Sequence, residues 1–158
     1  MQTVQASSNK PRIQSHRDLI VWQKARKLNA MSYMLARQLP EDERYGMRAQ
    51  IQRAAVSIPS NIAEGHGRLG KGDFTRHLSI ARSSLAELEC LLDLASDVGY
   101  LDDDEIRVPM AIAEECSKML WVLVKKLGSR QVLPPRANMT DSKPSVQTGA
   151  RIQVGESR

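Results

Sequence analysis

Apolar side chains recur along this chain in alternating steps of four and three. Val21, Ala25, Leu28, Ser32, Leu35 and Leu39 make one such row, widened by Trp22, Met31 and Met34. Met47, Ile51, Ala54, Ile58 and Ile62 make a second, and Phe74, Leu78, Ala81, Leu85, Leu88, Leu92 and Ala95 a third. Ile106, Met110, Ala113, Ser117, Leu120, Val124 and Leu127 make a fourth. This spacing keeps each row on one face of a helix with about 3.6 residues per turn. Pro40, the stretch from Gly65 to Gly72, and Val98-Gly99-Tyr100 interrupt the rows where turns are needed. No alternating strand pattern competes. The pattern predicts an all-α protein, an antiparallel up-down four-helix bundle over residues 15–127.

Two prolines fall inside these rows. Pro59 deletes a hydrogen bond in the second helix, and its neighbours Ser57, Ser60 and Asn61 are short polar side chains able to satisfy the carbonyl left over. Pro109 follows the acidic run Asp102-Asp103-Asp104-Glu105, which suits a helix N-terminus. Either the fourth helix bends at Pro109, or it begins near Val108. Residues 1–14 show no periodicity and read as a flexible N-terminal arm. Residues 128–158, rich in Pro, Gly, Ser and Thr, read as a disordered basic C-terminal tail.

Composition narrows the class. Of 158 residues 41% are hydrophobic but only 4% aromatic, so aliphatic side chains must fill the core. No apolar run approaches the roughly 18 residues that would span a bilayer. The start of the chain lacks the apolar segment of a secretory signal, so a cytoplasmic location is expected and no membrane association. Cys90 and Cys116 are too few for a disulfide framework.

The net charge of +5 is unevenly spread. Residues 10–82 carry 14 Lys and Arg against 6 Asp and Glu, residues 83–127 carry 4 against 10, and residues 128–158 carry 5 against 2. Such polarity favours a polyanionic partner. Lys24, Lys27, Arg48, Arg53, Arg68, Lys71, Arg76 and Arg82 are the candidate phosphate contacts. Aromatic residues are too scarce for single-strand stacking platforms, which points to structured RNA or duplex nucleic acid.

Motifs for chemistry are weak. Gly65-His66-Gly67-Arg68-Leu69-Gly70 fits a dinucleotide fingerprint in letters, but a helix rather than a strand precedes it. His16, His66 and His77 lie at no metal-ligand spacing. Glu64 and Arg68, four apart, read as an ion pair. No catalytic residue, cofactor or metal is expected. The second helix, by contrast, has one charged side chain, Arg53, between Ala49 and Ala63. Its far face, Ala49, Val56, Ser60 and Ala63, is therefore the candidate contact between subunits.

Two segments carry a resemblance: Asp18-Leu19-Ile20-Val21-Trp22-Gln23-Lys24-Ala25, and the run from Arg53 through Ser57-Ile58-Pro59-Ser60-Asn61-Ile62-Ala63-Glu64 to Gly65. With Leu78 to Glu89 and Gly99-Tyr100-Leu101, the chain resembles the four-helix-bundle proteins encoded in 23S rRNA intervening sequences, the S23 ribosomal protein family. The resemblance covers roughly residues 15–127. It implies a homopentameric barrel, a nucleic-acid role without enzymatic activity, and kinship with the accessory variability proteins of diversity-generating retroelements, which bind a reverse transcriptase and RNA. One departure is visible. Gly70-Lys71-Gly72-Asp73 stands where the family tends to place a Ser-x-x-Glu capping box, so the third helix should be more weakly capped.

Overall fold

The computed structural model describes residues 13–127; the expectations for residues 1–12 and for the tail 128–158 lie outside them. Four helices follow one another: α1 (Ile20–Gln38), α2 (Met47–His66), α3 (Lys71–Asp97) and α4 (Asp103–Leu127). Each packs on two neighbours, α1 on α2, α2 on α3, α3 on α4 and α4 on α1, which makes a square bundle with α1 and α3 on one diagonal. The four rows point inward. Leu28, Ile58, Ile62, Leu78, Leu85, Leu88, Leu92 and Leu120 are fully buried, each stabilising the fold by about 1.5–3 kcal/mol.

Local chemistry sets the ends. Before α1, Ser15 and Asp18 form a capping box on a single 3-10 turn, His16–Asp18. The backbone N–H groups of Gln14 and Ser15 donate to Asp18 at 2.9 Å and hold its carboxyl below the usual range. α1 stops at Gln38 because Pro40 forces Leu39 into extended backbone. Between α3 and α4 the N–H of Gly99 donates to the Ser96 carbonyl at 2.9 Å and that of Tyr100 to the Ala95 carbonyl at 2.9 Å. This Schellman ending needs the left-handed backbone that Gly99 supplies at φ 76°. Gly70 caps α3 without a side-chain hydrogen bond, as its departure from the family pattern implies.

Both prolines lie inside continuous helices. α4 begins at Asp103 and runs through a buried Pro109, so a start near Val108 is excluded. Three acidic residues in its first turn, together with the Glu105 carboxylate accepting from the Asp102 N–H at 2.9 Å, stabilise the earlier start. In α2 the carbonyl that Pro59 leaves unpaired is that of Ala55, four residues back. The Asn61 amide does not reach it: it donates to the carbonyl of Ser57 at 2.9 Å, because its other end is engaged by α3.

Candidate nucleic-acid and subunit surfaces

Where α2 crosses α3, polar side chains meet in a continuous network. Ser57, Asn61 and Glu64 share one edge of α2; His77 and Ser84, seven apart, share the facing edge of α3. The Ser57 carbonyl can only accept, so its bond from Asn61 Nδ2 fixes the amide's orientation and turns Asn61 Oδ1 toward α3. His77 Nδ1, 3.1 Å away, is therefore the protonated ring nitrogen and donates to it. Asn61 Nδ2 also donates to Ser57 Oγ at 3.1 Å, and Ser84 Oγ donates to the same oxygen at 2.8 Å. His77 is only 5% exposed. Its Nε2 has no hydrogen-bond partner and faces the Glu64 carboxylate at 3.7 Å, while Glu64 pairs with Arg68. The hydrogen bond from Arg68 is the largest influence holding the Glu64 carboxyl low. The imidazole binds an amide, and the two serines bind each other, so no hydroxyl is set against a base.

The basic side chains named from the sequence do not share one surface. Arg48 turns inward. Its guanidinium donates to the carbonyls of Leu39 and Pro40, the latter at 3.1 Å, and to Glu41 at 3.0 Å, closing the end of α1; it is a structural cap rather than a phosphate contact. Lys24 is paired with Glu115 of α4, whose carboxyl that bond depresses, and Lys27 lies close enough to add to the effect. Arg82 is half-buried on α3. Arg53 stands exposed on α2. Arg68, Lys71 and Arg76 cluster, exposed, at the α2–α3 elbow.

The antiparallel path then sorts charge along the bundle axis. One end gathers the start of α1, the elbow and the end of α4, where Arg17, Arg68, Lys71, Arg76, Lys125 and Lys126 outnumber Asp18, Glu64 and Asp73. At the opposite end Glu41, Asp42, Glu43 and the run from Asp102 to Glu105 outnumber Arg37, Arg44, Arg48 and Arg107. Leading toward it, Glu89, Asp93 and Asp97 form a row on α3. Burial first, then the neighbouring carboxylates, pushes Glu89 and Asp93 above their usual range. The poles do not follow the sequence halves: Glu41, Asp42 and Glu43 of the basic stretch lie at the acidic end, and Lys125 and Lys126 of the acidic stretch at the basic end.

Two further surfaces bear on assembly. Three of the four small residues on α2, Ala49, Val56 and Ser60, line an open concavity with Tyr33 of α1 and Gln52, Arg53, Ser57 and Asn61 of α2; Ala63 lies beyond it, partly exposed. Val56 is the one exposed large hydrophobic on that helix. The α1–α4 seam is richer. Ile20, Lys24, Lys27, Met31 and Met34 form one row on α1, and Val108, Glu115 and Val122 one on α4; the Lys24–Glu115 pair joins the rows. Ile20 and Met34 are 61% and 66% exposed, Val108 and Val122 50% and 42%. Among the described residues no helix is long and apolar enough to cross a membrane.

The 23S rRNA-intervening sequence protein family matches residues 17–122. Among solved structures, a protein of unknown function from the S23 ribosomal protein family of Bacteroides thetaiotaomicron VPI-5482 superimposes with a TM-score of 0.63 at 26% identity, covering 67% of this chain and 99% of that one. No curated protein matches this chain significantly.

Proposed function

This chain belongs to the 23S rRNA-intervening sequence protein family, and from that premise we propose that it is a non-enzymatic, oligomeric protein that binds structured or duplex RNA at its basic pole. The observation that carries the reading is the segregation of charge along the bundle axis. A phosphate backbone is attracted to the end bearing Arg68, Lys71 and Arg76 and repelled from the end bearing Asp102 to Glu105, so the pole orients the protein as well as holding it. The last turn of α4 adds Lys125 and Lys126 to the same end.

The subunit contact is assigned to the α1–α4 seam rather than to the far face of α2. A stable contact buries on the order of 800 Å² per partner around an apolar centre. Ile20, Met34, Val108 and Val122 supply four exposed apolar side chains around the Lys24–Glu115 pair, whose charges offset each other, whereas α2 exposes Val56 alone beside Arg53, which makes no ion pair with another described residue. A pentamer follows from the family resemblance. Titrating a labelled hairpin RNA at several salt concentrations tests the reading: log K should fall linearly with log salt, by about 0.9 per duplex phosphate neutralised. Binding that ignores salt, or no binding, overturns it.

A further inference from the structure

The geometry points to the concavity between Tyr33 and the outer face of α2 as a seat for a single backbone phosphate of RNA, separate from the basic pole. It rests on the RNA-binding reading and adds a site to it. The argument is one of hydrogen-bond satisfaction. Ser57 Oγ has two acceptor lone pairs, and both are filled from inside the protein, by Ser84 Oγ at 2.8 Å and Asn61 Nδ2 at 3.1 Å. Ser84 is buried and Ser57 borders the concavity, so burial favours Ser84 as the donor of the pair and leaves the Ser57 proton on the open side. The buried network, running from His77 through Asn61 to Ser57, therefore ends at the surface on a donor.

The surroundings ask for the same ligand. Arg53 lines the concavity, is exposed and makes no ion pair with another described residue. Gln52 and Ser60 add an amide and a hydroxyl, and no carboxylate lines the site. A cation and several neutral donors around an opening without an acid fit a singly charged acceptor, as a phosphodiester is. The Tyr33 wall suits the attached ribose and base, since flipped-out bases stack on aromatic rings. A subunit packed here would instead have to bury the Arg53 charge, which is costly without a matching acid.

The test uses the full chain and a hairpin RNA with a uridine-rich loop. Arg53→Gln should weaken binding about tenfold, the size of one charge-assisted contact, and lower the salt slope by about 0.7–0.9. Ultraviolet irradiation of the wild-type complex should attach a nucleotide to the tryptic peptide running from Leu28 to Arg37, which contains Tyr33, and Arg53→Gln should abolish that adduct. If Arg53→Gln leaves affinity, slope and adduct unchanged while Lys71→Gln lowers the first two, the site is wrong and the pole stands. A change in oligomeric mass without a change in RNA affinity also overturns the site, by making the surface a subunit contact. Failure of the wild-type chain to bind the hairpin removes the underlying reading itself.

Discussion

A methyl group added to Gly65 would lie 2.7 Å from the Cβ of His77. It would also lie 2.8 Å from Cδ2 of Phe74, so α2 and α3 approach at this crossing as closely as backbone and side chain allow. The absent side chain is what lets His77 reach Asn61. In an open helix Gly→Ala would gain about 1 kcal/mol. Here the clash with two core side chains reverses the sign, and Gly65→Ala should destabilise by about 1–3 kcal/mol in chemical denaturation. A gain in stability would mean that the crossing is looser than described.

Asn61→Ala should cost about 1–3 kcal/mol, because it strands a buried His77 N–H. Ser84→Ala removes one end of the network and leaves Ser57 its Asn61 donor, so it should cost about 0.5–1.5 kcal/mol. Equal costs for the two variants in urea unfolding would contradict the central place given to Asn61.

The two thiols should behave differently. Cys90 is exposed, whereas burial pushes the Cys116 thiol up to about 11. Ellman's reagent should titrate one thiol in the native protein at neutral pH and two after denaturation, since only the thiolate reacts. Fast reaction of both in the native state would place Cys116 elsewhere.

Glu89 offers a pH test whose sign is fixed. Burial, with Asp93 and Glu114 nearby, raises its folded-state value above the ordinary 4.5. The folded state then binds the proton more tightly, so ionisation of Glu89 destabilises the fold above its raised value and has no effect well below 4.5. Glu89→Gln should therefore raise the melting temperature at neutral pH, with the gain fading as pH falls below the ordinary glutamate range. A loss of stability at neutral pH would refute it.

Much of this was legible in the chain itself. Stepping by four and three placed all four helices and their inward faces, and Pro40 and Gly99 marked their ends. Arg48 could not be sorted from the other basic residues, because what distinguishes it is the closeness of the Leu39 and Pro40 carbonyls, a property of the turn. The bonding of Ser57 and Asn61 to His77 and Ser84 was equally hidden. Each side chain is unremarkable on its own helix, and they form a network only once α2 and α3 cross at Gly65. The axial poles needed the antiparallel path, which brings Arg17 and Lys126 to one end although they stand far apart in sequence.

Assembly separates two surfaces. Met34→Glu, on the α1–α4 seam, should dissociate subunits and leave helical circular dichroism intact, whereas Val56→Glu should leave the mass unchanged. Light scattering coupled to gel filtration reads both, and the reverse pattern would return the contact to α2.

The central claim is that RNA meets the basic pole, and its most direct test holds net charge constant while moving the lost charges. Lys71→Gln with Arg76→Gln removes two cations from the elbow; Arg44→Gln with Arg107→Gln removes two from the acidic end, where they pair with Glu41 and Asp104. Salt-dependent binding of one hairpin RNA is measured for both double variants. The account predicts a salt slope shallower by about 1.8 for the elbow variant, two phosphates' worth, and a wild-type slope for the other. Equal losses in the two variants would show that RNA responds to overall charge alone, and would contradict a binding pole.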